Sequence, residues 1–238
     1  MFPKPDTIFH PSGADVANTP QPETHEKAAP RRRRLSRDAR KGEIVQAAVA
    51  QFAEAGFDGS TRDIALRAGI TQPLLYRYFP SKDDLIEAVY EQVYLNKWDP
   101  AWDKALTDRS RSVKDRFQGF YEEYTQTIFD PVSLRISGFA ALRNAQIHDW
   151  YNHVIQEMIL KPLVRERRVE LGMADDILVP KDELQAPWLM HGSLLHYAKR
   201  RYILEIDDMG ETSDMISQAL DMYLLLTQTA AEAPCARP

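Results

Sequence analysis

EAGFDGSTRDIALRAGITQPLLYRYFPSKDDL, residues 54 to 85, places two short apolar-faced segments between glycine stops. Gly56 supplies the left-handed residue that ends a preceding helix, and Ser60 with Asp63 three residues later reads as a capping box opening the next one. Ile64, Ala65 and Ala68 give that second helix a small apolar face, and Gly69 ends it after barely two turns. Thr71 can cap a third helix, with Pro73 in its first turn, where a missing N–H is harmless. Two short helices joined by a tight, glycine-containing turn outline a helix-turn-helix.

The third helix is then the reading helix. Leu75 and Phe79, four apart, can pack on Ile64 and Ala68, which leaves Pro73, Tyr76 and Arg77 on another face with Gln72 in the first turn. That face suits DNA. Gln72 can make a bidentate contact to adenine, Pro73 can touch a thymine methyl, Arg77 can reach phosphate or a guanine edge, and the Tyr76 hydroxyl can bond a phosphate. After Pro80, Ser81 caps a fourth helix whose first N–H groups, with Lys82, form a phosphate site. Upstream, Val45, Ala48, Val49 and Phe52 recur at helical spacing from Asp38 to the stop at Gly56.

Charge divides along the 238 residues. Residues 31–82 carry eleven Lys and Arg against five Asp and Glu, net +6, whereas residues 83–238 carry net −9 and residues 1–30 net −2. A basic block ahead of an acidic body means that a polyanion meets only the first part. Residues 1–34 read as a disordered leader ending in the basic arm Arg31, Arg32, Arg33 and Arg34, placed to reach phosphates or a minor groove.

The segment RKGEIVQAAVAQFAEAGFDGSTRDIALRAGITQPLLYRYFPSKDDLIEAV, from Arg40 to Val89, resembles the N-terminal DNA-binding domain of the tetracycline-repressor (TetR) family. Its A-x-x-x-F, AGF, T-R-x-I-A, AGI, LYRYF and SK elements occur in order. The resemblance implies an all-helical, homodimeric transcriptional regulator, usually a repressor, that a small molecule releases from its operator. By position it places Arg62, Thr71, Gln72, Pro73, Tyr76, Tyr78 and Lys82 at DNA-contacting places. Pro73 and Tyr78 depart from the small residue and the His that many members carry there, so base preference does not transfer from a typical relative.

The expected class is therefore all-α: a leader (1–34), a three-helix helix-turn-helix domain (35–89), a larger helical ligand-binding and dimerisation domain (90–233) and a flexible tail (234–238). In the larger domain Phe117, Phe120, Tyr121, Tyr124 and Ile128 form one stripe, Leu134 to Arg143 fits a short helix, and a longer one is expected from Asp149 to Glu170, ending at Gly172. Helices near Trp188 to Leu204 and Ser213 to Ala230 follow. In the last, Met215, Ala219, Met222 and Leu226 form one apolar row beside Ile216, Leu220 and Tyr223, a face too wide for one neighbour. With Met190, Leu194 and Tyr197 from the helix before it, this predicts a four-helix bundle between two subunits.

Tyr121, Tyr124, Arg135, Trp150, Trp188 and His191 are the candidate lining for a small, mostly apolar ligand between the helices of residues 113–206. His148, His153, His191 and His196 pair at a spacing of five, which puts no two on one helix face, so no metal site is expected. No nucleophile elbow, zinc helix, P-loop or dinucleotide fingerprint occurs, and Cys235 is the one thiol; no enzyme activity and no cofactor are expected. No apolar run approaches a membrane span and no secretory signal opens the chain, so a cytoplasmic protein is expected. The rival reading keeps DNA binding and puts control in a protein partner instead of a ligand.

Overall fold

The computed structural model describes residues 36–143, 145–174 and 178–232, which are helical with no strand among them. Arg31 to Arg34 and Cys235 lie outside the described residues. The helices run α1 (Arg37–Ala55), α2 (Thr61–Arg67), α3 (Gln72–Tyr78), α4 (Lys82–Val93), α5 (Pro100–Thr107), α6 (Val113–Ile128), α7 (Pro131–Arg143), α8 (Ala145–Ile155), α9 (Lys161–Glu170), α10 (Gln185–Tyr202) and α11 (Thr212–Glu232). No described helix is long and apolar enough to cross a membrane.

Local rules set most of the ends. Gly69, at φ +65°, follows α2, and the backbone bonds Gly69 N–H to Leu66 C=O and Ile70 N–H to Ala65 C=O form a Schellman turn. Gly172, at φ +70°, ends α9 in the same way, with Gly172 and Met173 donating to Val169 and Arg168. Ser60 caps α2 by accepting from Arg62 N–H at 3.0 Å, so the expected reciprocal box with Asp63 is replaced by a simple cap. Thr71 occupies the cap position of α3 without a side-chain capping bond.

The single helix expected over Asp149–Glu170 is interrupted. Between α8 and α9 the chain makes one π turn, Gln156–Leu160, in which Lys161 N–H bonds Gln156 C=O five residues back. Pro162 explains it: with no N–H to donate to Met158, the ladder cannot continue at four-residue spacing, and one wider turn absorbs the mismatch.

A continuous core runs the length of the described chain. Ile44, Ala48, Phe52, Ile64, Leu75 and Leu85 are fully buried where α1 to α4 meet, and Phe117, Tyr121, Ile136, Leu160 and Leu220 continue the core among the later helices. The boundary expected at 89/90 falls within α4, whose Tyr90 and Val93 are buried along with its Leu85 and Val89. Helix α1 packs on α7 as well as on α2 and α4.

In α11, Ile216, Ala219, Leu220 and Tyr223 are buried, whereas Met222, Leu225 and Leu226 are exposed. On α10 the expected outward row is reversed. Met190, Leu194 and Tyr197 are buried within the subunit, while Leu189 faces out.

Candidate nucleic-acid interface

Helix α3 turns one side to the core and one to solvent. Leu75 and Phe79 sit under α2 with Ile64, while Pro73, Tyr76 and Arg77 are exposed and Gln72 is half-buried beside them. Thr71 and Arg62 are exposed at the adjoining ends of α3 and α2. Tyr78 is half-buried and packs against the core, so less of it faces out than its position in the motif implies.

A hydrogen-bonded group knits this surface. Thr61, at the first position of α2 and 7% exposed, accepts from Gln72 Nε2 at 2.8 Å and lies 3.1 Å from the Tyr76 hydroxyl. Sequence reasoning had Gln72 and Tyr76 but not Thr61, because the partners lie 11 and 15 residues away across a turn.

Not every basic residue of the +6 block is available to a polyanion. Arg67 makes a two-pronged bond to Glu54, at 3.0 and 2.5 Å, which clips α2 to α1 and holds the Glu54 carboxyl below its usual range. Arg40 pairs with Glu43, and the Lys41 ammonium lies over the Phe79 ring. Arg37, Arg62, Arg77 and Lys82 have no ion-pair partner among the described residues, so positive charge is left at the start of α1, on α2 and α3 and at the start of α4. At that start Ser81 and Asp84 form a full capping box: Asp84 N–H donates to Ser81 Oγ at 3.0 Å and Ser81 N–H to Asp84 Oδ2 at 2.8 Å. Asp84 N–H is thus already bonded, and Asp83 and Asp84 bring negative charge. A phosphate there would depend on the half-buried Lys82 and the first two N–H groups of α4.

Four of the six residues expected to line a pocket come together. The His191 ring lies 5.9 Å from the rings of Tyr121 and Tyr124 and 6.3 Å from that of Trp188, with Phe129 completing the group. Trp150 packs instead on Tyr90 near α4, and Arg135 is exposed on α7. The Tyr121 hydroxyl lies 3.3 Å from His191 Nδ1, while Nε2 of the same ring, fully buried, has no hydrogen-bond partner among the described residues. Burial drives the His191 pKa down to about 4, so the ring is neutral. The cluster is tightly filled. A 70 Å³ cavity bounded by Phe129, Leu194 and Tyr197 lies on one side, and a 20 Å³ apolar cavity bounded by Tyr94, Trp98, Tyr124, Tyr151 and Met158 lies on another, next to the π turn. A larger cleft of about 370 Å³ opens between α9 and α11, walled by Arg167, Arg168, Tyr223 and Leu226. No cluster of side chains suited to a metal occurs among the described residues.

A short helix seated on a second through a glycine turn, with polar and cationic side chains outward, places the chain in the class of helix-turn-helix DNA-binding proteins. A family model described as "Bacterial regulatory proteins, tetR family" matches residues 44–89, and this match supports a TetR family regulator. It is 37% identical over 83 residues to the HTH-type transcriptional activator FasR of Mycolicibacterium smegmatis, covering 33% of this chain and 38% of that protein. It is 34% identical over 85 residues to the HTH-type transcriptional repressor KstR2 of Mycobacterium tuberculosis, covering 35% and 42%. The matches thus span about two fifths of these relatives' lengths. Among solved structures, a TetR family transcriptional regulator from Pseudomonas syringae shares the fold with a TM-score of 0.55 at 23% identity, covering 80% of this chain and 96% of that one. SmeT, the repressor of a Stenotrophomonas maltophilia multidrug efflux pump, does so with a TM-score of 0.55 at 20% identity, covering 78% and 89%.

Proposed function

We propose that the protein is a transcriptional repressor that binds a two-fold symmetric DNA operator as a homodimer, through α3 of each subunit, and leaves it when a small, mostly apolar ligand binds. The outward face of α3 carries this reading: Gln72, Pro73, Tyr76 and Arg77 stand together beside the unpaired cations Arg62 and Lys82. A surface with no binding role has no need to set a base-reading amide on one helix beside three cations, from three helices, that lack ion-pair partners among the described residues. Sequencing DNA selected from random oligonucleotides by the purified protein tests it; recovery of a palindromic consensus is expected, and failure to enrich any sequence would overturn it.

Dimerisation is supported by the apolar strip Met222, Leu225 and Leu226 on α11 with Leu189 on α10, since exposed clusters of this kind mark protein contacts. A two-fold dimer must hold its reading helices about 34–36 Å apart, or a multiple, to enter successive major grooves. A ligand acts only if it favours the state with the wrong spacing. The aromatic cluster around His191 supports the ligand site, because its neutral ring keeps one unpartnered polar atom among apolar walls. The close packing of that cluster supports a second reading, in which a protein partner controls the regulator. A thermal-shift screen of small molecules separates the two: a ligand-controlled protein gains melting temperature with a binder, and a partner-controlled one responds to none.

A further inference from the structure

We propose that Thr61 is a specificity-determining positioning residue, whose hydroxyl fixes the carboxamide of Gln72 for base reading. The proposal rests on the reading of α3 as the helix that enters the groove. Gln72 and Tyr76 stand one turn apart on α3, and both converge on the one hydroxyl of Thr61, at 2.8 and 3.1 Å. Thr61 is 7% exposed and lies on α2, a separate element held by its own core contacts and by the Arg67–Glu54 clip. Its position is therefore independent of whatever α3 binds.

A glutamine reaching into a groove from a helix has three rotatable side-chain bonds and a carboxamide whose two ends are nearly the same shape. Left alone, it samples many rotamers and offers donor or acceptor to a base with little preference. Donation of one Nε2 hydrogen to Thr61 fixes which end of the carboxamide is tied down and leaves Oε1 and the second Nε2 hydrogen for a base. That acceptor and donor pair matches the N6 amino group and N7 of adenine in the major groove. The Tyr76 hydroxyl, 3.1 Å from the same Oγ1, gives the Thr61 hydroxyl a second partner on α3 and so helps to hold it in place beside Gln72.

The test measures operator discrimination at the base positions that Gln72→Ala alters, using the selected operator, its single-base variants and random-sequence DNA. Thr61→Val keeps the shape and the buried methyl but removes the hydroxyl; it should lose about tenfold of discrimination there while binding random DNA within about twofold of wild type. Thr61→Ser should keep the discrimination. The double variant Thr61→Val with Gln72→Ala should discriminate no worse than Gln72→Ala alone, since Thr61 acts through Gln72. Wild-type discrimination in Thr61→Val, or additive losses in the double variant, would overturn the proposal and leave the reading of α3 intact. Absence of discrimination in the wild type would instead overturn that reading, and this proposal with it. If Thr61→Val does not fold, hydrogen exchange of the Gln72 side-chain amide in the free wild-type protein decides: slower exchange than the exposed glutamines supports anchoring, and equal exchange overturns it.

Discussion

The Phe139 ring of α7 lies against Gly56, with its Cδ1 2.9 Å from where a β-carbon on that glycine would be. Gly56 sits at φ +67°, in the left-handed region, at the end of α1. One residue thus ends the first helix of the DNA-binding module and gives α7 room to touch it. Gly56→Ala should destabilise the protein by about 2 kcal/mol or more, because left-handed strain of about 1–2 kcal/mol adds to the displacement of Phe139. Denaturant melts read the loss. Phe139→Leu in the same chain should recover only the packing part; full recovery would mean that backbone strain is unimportant here.

Gln72 and Lys82 should fail differently on DNA. Gln72→Ala is expected to lose about 1–3 kcal/mol of preference at one or two base positions. Lys82→Ala should weaken binding to all sequences and reduce the slope of log affinity against log salt by about 1. Binding isotherms at several salt concentrations distinguish them, and an unchanged slope in Lys82→Ala would remove that side chain from the phosphate contacts.

The neutral, buried His191 makes stability depend on pH. Its folded pKa, about 4, is below the ordinary 6.5, so the unfolded chain binds more protons between those values. The stability this depressed pKa confers is complete above pH 6.5 and is lost as pH falls through 4, by about 3 kcal/mol in all. Unfolding free energies measured from pH 7 to pH 4 should fall accordingly in the wild type and less steeply in His191→Phe. Parallel curves would show that the ring is hydrated or paired in solution.

Glu166 holds two arginines at the base of α5 and α6. Its carboxylate accepts from the buried Arg116 at 2.7 Å and from Arg109 at 2.9 and 3.1 Å, and Arg116 also donates to Leu106 C=O at 2.6 Å. Glu166→Ala leaves the Arg116 charge buried without its counter-ion, which should cost about 3–5 kcal/mol. Replacing Arg116 and Glu166 together by apolar residues of similar size should cost far less. Equal losses in the two variants would point to packing instead of charge.

Leu226→Asp on α11 should yield a helical monomer, because Leu226 is half exposed in the subunit and its change empties no core site. Light scattering reads the mass and circular dichroism the helix content. A dimer of unchanged affinity would move the subunit interface away from α11.

The helix-turn-helix was legible in the sequence because its determinants act within a few residues. Helical spacing of apolar residues, Ser60 and Ser81 before helix starts, Pro73 in a first turn, and Gly56, Gly69 and Gly172 after helix ends need only the neighbouring turn of chain to act. The exposed face of α3 followed from the same spacing once Leu75 and Phe79 were assigned to the core. The π turn before Pro162 did not, since a proline in a helical pattern predicts a disturbance without saying whether the chain kinks, stops or widens.

What the tertiary structure decided is which of several equally apolar or equally charged residues meet. Arg67 and Glu54, 13 residues apart, neutralise each other only because α2 crosses α1, and Thr61 reaches Gln72 and Tyr76 only because α2 and α3 pack at one angle. On α10 the row Met190, Leu194 and Tyr197 and the outward Leu189 carry the same hydrophobic signal, and only the placement of α11 selects which is covered. Tyr121 and His191 meet across 70 residues while Trp150 and Arg135, no less plausible by type, are carried elsewhere. Local patterns determine the faces of single helices; the pairing of those faces depends on how the helices fill the shared core, a property of the whole chain.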